Sequence, residues 1–293
     1  MNFEQEIINL LNSGCSHITK WFCFNDDNSR NTSVINCIMT NQIYMSFSNE
    51  FNDIFDAQLR LCDETIRELA KRYHPDLDVG LVKNFQHTFN NSYIISCFSK
   101  NDPTSTNSHN MWGLYGKMGK GFALQYSLKS LHALIRQNKK HYLKHTIRAV
   151  SYGTYCPLNF FDGYLEKFLE IQATTPRDSQ KKERLLASIE TKFLGKKNLH
   201  WQYEEEVRII GTGYLKDTQG LRGSEIRHLP FVNPSKIVLG WDYQSDKNTA
   251  LYNDLIKCAH DTNTDIGYLD KTVDYENKKF IYLPIDPAET KAG

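Results

Sequence analysis

Apolar residues recur at helical spacing at the start of the chain. In "MNFEQEIINLLNSG" they predict a short amphipathic helix over the first dozen residues, and Gly14 is expected to end it. The apolar face of this helix consists of Phe3, Ile7, Leu10 and Leu11. Two strand-like runs follow, "HITKWFCF" and "QIYMSFS", with the polar turn "NDDNSRN" and a short helix over about 34–39 between them.

The middle of the chain alternates helical and extended patterns. The loop "NEFNDIFD" leads into a predicted helix over about 56–73, which Pro75 ends. A second helix precedes "YIISCFS", the most strand-like run of the sequence, and "GFALQY" is a further predicted strand. Between these strands lies "SKNDPTSTNSHN", whose turn-forming residues predict a loop that borders a site and is mobile when the site is empty.

Short strands dominate the second half. Residues 141–156 are predicted to be extended and 158–195 to form two helices. From Trp201 onward come "EEVRIIG", "EIRHLPF", "KIVLG" and "KFIYLPI", with one helix near 246–260. No stretch rich in Pro, Gly or Ser divides the chain, which predicts a single domain over 1–293 with a motif-bearing core of about 15–285. The mixed order predicts an α+β fold with flanking helices and a largely antiparallel sheet that is either continuous or split.

The run "HWQYEEEVRII" over 200–210 is unusual for a strand because it holds three adjacent glutamates. If the whole run is a strand, Glu204, Glu206 and Arg208 share one face, and Glu205 falls on the apolar face. One interpretation is a half-buried strand whose polar face contacts water. The other is a pair of carboxylates beside a guanidinium, directed into a cleft.

Composition narrows the class of protein. The 293 residues carry 35 Lys and Arg against 34 Asp and Glu, so no overall field attracts nucleic acid or membrane. The seven cysteines are scattered without metal-ligand spacing, which predicts reduced thiols. The sequence contains no signal-peptide pattern and no apolar run that spans a bilayer, so we expect a soluble, cytoplasmic protein without membrane contacts.

Other candidate motifs are less specific. The glycines of "GLYGKMGKGF" do not match a Rossmann or P-loop spacing, and the ten histidines are dispersed. Asp56 is expected to cap a helix, and the basic runs "RQNKKHYLKH" and "DSQKKER" are expected to be solvated helix faces. Trp112, Tyr115 and Trp201 either stack a ligand ring or belong to the core.

Several rare motifs, in order, resemble an uncharacterised bacterial family, the domain of unknown function 2971. They are "TKWF", "IYMSFSNEFNDIFD", "ISCFSKNDPTSTNSHNMWGLYGKMGKGFAL", the Tyr after "AVS", and "KKNLHWQYEEEVRI", which together extend over about 18–240. This family usually has Pro after Phe-Asn-Asp, where Ile54 stands in this chain. The resemblance supplies no activity.

A second resemblance is to the ADP-ribosyltransferase fold, particularly its nucleic-acid-modifying toxins. In that superfamily an early strand presents His or Arg to NAD, a middle strand carries Ser or aromatic residues, and a late strand presents the catalytic Glu. Lys20 stands at the first position and departs from the usual residue, while Glu204 and Glu206 resemble the Glu-x-Glu pair. The NAD-contacting residues implied by the resemblance are Lys20, Ser46, Asn52, Asp53, Ser96, Phe98, Ser99, Trp112, Tyr115 and Arg208.

The resemblance also implies a chemistry. NAD is the substrate, no metal is expected, and the acceptor is a nucleic acid or a protein, as in a toxin or a phage-defence effector. Loss of nicotinamide creates an oxocarbenium-like ribose, which Glu206 stabilises, while Glu204 orients or deprotonates the acceptor. Arg208 holds a phosphate or neutralises the two glutamates.

Two alternatives belong to other classes. In a metal-dependent nuclease, Asp53, Asp56, Glu204 and Glu206 bind Mg²⁺, assisted by Lys20 or Lys197. In a binding module without enzymatic activity, an aromatic cleft recognises a nucleotide or a peptide.

Overall fold

The computed structural model describes residues 3–23, 28–51, 56–58, 61–73, 79–154, 193–212, 227–243 and 249–285. The α-helices in these ranges are α1 Phe3–Asn12, α2 Asn28–Met39, α3 Asp63–Tyr73, α4 Val79–Ser92, α5 His109–Leu114, α6 Leu128–Gln137 and α7 Thr249–Asp261. The strands are β1 His17–Phe22, β2 Gln42–Tyr44, β3 Ser46–Phe47, β4 Ile94–Ser99, β5 Phe122–Ser127, β6 His145–Ala149, β7 Ser151–Gly153, β8 Lys196–Asn198, β9 Glu206–Gly211, β10 His228–Pro230, β11 Lys236–Leu239, β12 Asp265–Asp274 and β13 Lys279–Pro284.

A nine-stranded sheet organises the described residues. Its order is β13-β12-β11-β5-β1-β4-β9-β6, and β3 also pairs with β4. The pairs are antiparallel except for β11 with β12, which are parallel and are joined by a crossover through α7. Two small sheets lie apart from it, β2 with β10 and β7 with β8. The fold is therefore α+β with a mostly antiparallel sheet, as the strand pattern predicts.

One face of the main sheet carries the larger hydrophobic core. Apolar side chains of the central strands, such as Ile18, Phe98 and Val207, are packed in one cluster with residues of the helices, such as Ile7 and Leu131. A smaller cluster is formed by Trp112, Ala123, Val238 and Leu269, with Trp21 and Trp241 against it. Strand alternation separates the two clusters, since Trp21 and Ala123 point away from Ile18 and Phe98.

Several predicted elements are confirmed and several boundaries are wrong. The first helix ends before Gly14, which has a φ of +86°, and "YIISCFS" forms β4. The predicted helix at 56–73 begins only at Asp63, and "QIYMSFS" forms two short strands rather than one. The long strand β12 was not predicted, and the two helices predicted within 158–195 fall almost wholly outside the described residues.

Within the ranges that the structure describes, no helix has the length and apolar character needed to cross a bilayer.

Strands from the two halves of the sequence pair with each other, which predicts the result of limited proteolysis. Strands β9 and β11 come from the second half of the sequence, yet they pair with β4 and β5 from the first half. We therefore expect a protease nick between 155 and 192 to leave one associated particle, because separation would break both pairings. Gel filtration of the nicked protein tests this. Two fragments that separate and each remain folded would contradict the single domain.

Candidate functional site

The three glutamates of "YEEEV" lie at a turn, and the prediction that all of them belong to one strand is wrong. Leu199–Glu204 is a 3₁₀ helix, β9 begins at Glu206, and Glu205 between them is left-handed with φ 43° and ψ 49°. This turn leaves the Glu205 side chain exposed and directs both neighbouring carboxylates into the protein. Glu204 and Glu206 therefore meet because of a turn and not through strand alternation.

The Arg208 guanidinium is completely buried beside Glu206. Its Nε donates to Glu206 Oε1 at 2.7 Å, and its Nη2 donates to Glu206 Oε2 at 2.9 Å. Nη2 also lies 2.6 and 2.7 Å from the two carboxylate oxygens of Asp56, while Nη1 donates to the Leu194 carbonyl at 2.9 Å. These charge-assisted bonds fix Glu206 and Asp56 to the sheet.

Lys197 adds a second cation to the same carboxylates. Its Nζ lies 2.6 Å from Glu204 Oε2, 3.1 Å from Glu206 Oε2 and 3.2 Å from Asp56 Oδ2. The Lys197 side chain is only 9% exposed. Arg208 and Lys197 thus oppose three carboxylates, which leaves an excess of one negative charge when all five groups are ionised. We call these five residues the carboxylate cluster.

Neutral groups orient the two glutamates. Tyr115 donates its hydroxyl to Glu204 Oε1 at 2.5 Å, and Ser99 donates to the Glu204 carbonyl at 2.5 Å. The backbone N–H of Glu206 donates to the Tyr152 hydroxyl at 2.6 Å. Tyr115 is 38% exposed, so the cluster approaches solvent at this side chain.

The environments of the two glutamates shift their pKa values in opposite directions. Burial disfavours the Glu206 anion, but the Arg208 guanidinium and the Lys197 ammonium outweigh it and lower the pKa of Glu206 to about 2. For Glu204 burial outweighs Lys197 and the Tyr115 hydrogen bond, and its pKa is raised above the ordinary value. Glu206 therefore stays ionised at neutral pH, whereas Glu204 is the carboxyl that exchanges a proton more readily.

Three of the predicted NAD-contacting residues lie on the opposite face of the sheet, which corrects the predicted grouping. Lys20 donates from Nζ to Ser96 Oγ at 2.8 Å, and the same Nζ lies 5.0 Å from the centre of the Phe98 ring. Ser96 and Phe98 alternate along β4 with Ser99, which pairs with Glu206. Lys20, Ser96 and Phe98 are therefore separated from the carboxylate cluster by the sheet itself.

Four further residues of the predicted NAD site, Trp112, Ser46, Asn52 and Asp53, are not placed at the carboxylate cluster by the structure. Trp112 is fully buried, and its Nε1 donates to the Pro103 carbonyl, so its ring has no surface for a ligand. Ser46 pairs with Ile95 on the glutamate face, but Ile95 lies four residues from Ser99, about 13 Å along the strand. Asn52 and Asp53 are outside the described residues.

The loop after β4 borders the cluster and is held by several hydrogen bonds. Asn101 Nδ2 donates to the Tyr203 carbonyl at 2.8 Å, and Thr104 bonds to the Asp102 carboxylate through both its N–H and its hydroxyl. The Phe280 N–H donates to the Thr104 carbonyl at 2.7 Å. These contacts tie the loop to Tyr203 and Phe280, and its mobility in the empty site stays a prediction.

The predicted NAD site omitted two members of the carboxylate cluster, Asp56 and Lys197, and one residue that contacts it, Tyr152. Asp56 does not cap α3, since that helix begins at Asp63, and its carboxylate bonds to Arg208, 152 residues away. Lys197 and Tyr152 pair across β7 and β8, and both belong to stretches quoted for the family resemblance. Their presence in those stretches is the available sequence signal. Nothing local identifies Asp56 as a partner of Arg208.

The lowered pKa of Glu206 predicts that the stability of the protein depends on pH. Its pKa is about 2 in the folded protein against an ordinary 4.5, so the unfolded chain binds more protons between these values. The free energy of unfolding should rise from pH 2 towards 4.5, by up to about 1.4 kcal/mol per pH unit, and should be lost again as the pH falls. Urea unfolding across this window should show a flatter slope for Glu206→Gln than for wild type. An unchanged slope would contradict the ion pairing.

Comparisons with known proteins bear on the family alone. Residues 111–209 match the family model described as "Protein of unknown function (DUF2971)", which confirms the predicted resemblance to this family over a shorter range than 18–240. The matched stretch contains Tyr115, Lys197 and all three glutamates. No curated protein and no solved structure matches the chain.

Proposed function

We propose that this protein is an NAD-consuming enzyme of the ADP-ribosyltransferase type, in which Glu206 stabilises the cationic ribose that forms when nicotinamide leaves. The observation that carries this proposal is the carboxylate cluster, where a buried ionised Glu206 lies beside Glu204, whose pKa is raised. A fixed carboxylate in a buried site stabilises a developing positive charge more strongly than one in water. The cluster has one carboxylate more than its cations neutralise.

Strand order supports the same proposal. In the ADP-ribosyltransferase fold that the chain resembles, the site is built from an early, a middle and a late strand. The corresponding strands in this chain, β1, β4 and β9, are consecutive neighbours in the sheet. Thr19 pairs with Ser99 and Ser99 pairs with Glu206, so these three side chains form a row on one face. The early strand therefore contributes from the face of Thr19 and Trp21 instead of that of Lys20.

The Trp21 ring is better placed than the Trp112 ring to contact the nicotinamide, because Trp21 is only partly buried. Its side chain is half-buried and shares the glutamate face with Thr19 by strand alternation. Its Nε1 is buried and has no hydrogen-bond partner within the described residues, and such groups are uncommon in proteins. The accessible part of the Trp21 ring, and not this enclosed nitrogen, is the surface that faces the nicotinamide in this proposal.

Glu204 and Tyr115 supply the groups for the acceptor. A carboxyl with a raised pKa is suited to accept a proton from an attacking hydroxyl or amine, and Tyr115 connects it to the surface. The acceptor is then a macromolecule with a nucleophilic group, a nucleic acid or a protein. A bacterial toxin or phage-defence effector fits this activity.

The metal-dependent nuclease is the second candidate, because Asp56, Glu204 and Glu206 do converge. Their inward oxygens, however, already accept bonds from Lys197 and Arg208. Among the described residues no group of three His, Cys, Asp or Glu side chains is arranged to hold a metal ion. With Lys197 and Arg208 in place, these oxygens are not arranged to coordinate Mg²⁺.

Titration calorimetry with NAD and with Mg²⁺, together with an assay of nicotinamide release, tests the proposal. We expect calorimetry to show that wild type binds NAD in the presence of chelator, and the assay to show that Glu206→Gln has lost nicotinamide release. NAD binding with no release would favour a binding module. Binding of Mg²⁺ together with phosphodiester cleavage, and no binding of NAD, would favour the nuclease.

A further inference from the structure

The Lys197 ammonium lies among the three carboxylates of the cluster, where the proposed function places the substrate cation. This ammonium is in contact with all three carboxylates at 2.6–3.2 Å, a separation that leaves no room for another group between them. The same Nζ lies 5.1 Å from the centre of the Trp201 ring, which adds a cation–π contact. Carboxylates and an aromatic ring around an ammonium are also a typical environment for binding organic cations.

The two cations of the cluster are attached to the fold differently. Arg208 belongs to β9 in the main sheet and donates to two carboxylates and one carbonyl, so its withdrawal would leave several buried groups unpaired. Among the described residues, β8, which carries Lys197, pairs with β7 in a two-stranded sheet apart from the main one. The charge of Lys197 sits on a flexible four-carbon stem, so a change of rotamer moves the ammonium without moving the main sheet that holds Arg208.

We propose that Lys197 is an internal inhibitor: its ammonium holds the position that the cationic end of the substrate takes, and catalysis requires its displacement. This inference rests on the proposed function and describes the regulation of that site. The pyridinium ring of NAD and the ribose cation formed from it both carry the charge that Lys197 supplies in the free protein. While Lys197 remains in place, its ammonium fills the space beside Glu204 and Glu206, so the excess negative charge of the cluster cannot contact either species.

The first test compares Lys197→Met with Lys196→Met, a neighbour on the same strand whose side chain is exposed. The probe is N-methylpyridinium, a cation of the size of the nicotinamide ring, with neutral pyridine as the matched uncharged ligand. We expect Lys197→Met to bind N-methylpyridinium at least about tenfold more tightly than wild type, Lys196→Met to bind like wild type, and pyridine to show no such gain. Equal affinity of Lys197→Met and wild type for the cation would overturn the proposal.

The second test needs no variant and decides the question if Lys197→Met does not fold. Wild-type protein is treated with acetic anhydride, and acetylation of Lys197 and Lys196 is followed by mass spectrometry. Lys197 should react far more slowly than Lys196, and N-methylpyridinium should accelerate its acetylation severalfold while leaving Lys196 unchanged. No acceleration at saturating probe would overturn the proposal.

Adding NAD to both experiments separates the two claims. If N-methylpyridinium displaces Lys197 and NAD does not bind, internal inhibition stands and the proposed function fails. If NAD is bound and cleaved while Lys197 stays protected from acetylation, the proposed function stands and internal inhibition fails.

Discussion

Glu206→Gln should release nicotinamide from NAD on the order of a hundredfold more slowly than wild type, or slower still. Glutamine keeps the shape of the side chain and its oxygen acceptor but removes the charge that stabilises the ribose cation. The variant should fold, because Arg208 retains both oxygens of Asp56 and the Leu194 carbonyl as acceptors.

Glu205→Gln is the matched control for this variant. It makes the same chemical change one residue earlier, but the Glu205 side chain is exposed and its backbone is left-handed at the turn. Its nicotinamide release should stay close to that of wild type. Equal rates for the two variants, measured at equal folded fraction by circular dichroism, would mean that Glu206 does not act on the substrate.

Arg208→Met should cause the largest loss of stability, on the order of 3–5 kcal/mol, because it leaves Asp56 and Glu206 buried without their main cation. Lys197 then faces three carboxylates alone. The pKa of Glu206 should rise, since the guanidinium is the strongest of the groups that lower it. Urea unfolding gives the free energy, and titration of stability against pH gives the shift.

Arg136→Met provides the comparison for an exposed ion pair. Arg136 Nε lies 3.8 Å from Glu4 Oε1 and its side chain is 67% exposed, so its removal should cost less than about 1 kcal/mol. If Arg208→Met loses no more stability than Arg136→Met, the cluster does not hold β9 to the segment of Asp56.

The elements that sequence patterns predicted best are those whose side chains repeat with a clear period. The helix of Phe3, Ile7 and Leu10 and the strand of Ile94 to Ser99 both follow this rule, because burial of one face selects the period. Alternation also determines which residues share a face of the sheet. It separates Lys20, Ser96 and Phe98 from Glu206, although their order along the chain suggests one site.

The cluster was only partly predictable, for two physical reasons. The left-handed residue Glu205 interrupts the strand, and no glycine or asparagine in "YEEEV" indicates such a turn. The pairing of Asp56 with Arg208 joins residues 152 positions apart, and a single sequence carries no signal for that contact. Glu204 and Glu206 were predicted because closely spaced carboxylates beside an arginine are unusual next to a buried strand, even though the geometry that joins them is different.

Nicotinamide release by the wild-type protein, with NAD and a macromolecular acceptor mixture in excess chelator, tests the central claim most directly. We expect release that continues without metal, leaves ADP-ribose in solution or on the acceptor, and increases with pH as Glu204 loses its proton. Absence of release at every pH, or cleavage of nucleic acid that appears only with Mg²⁺, would contradict it.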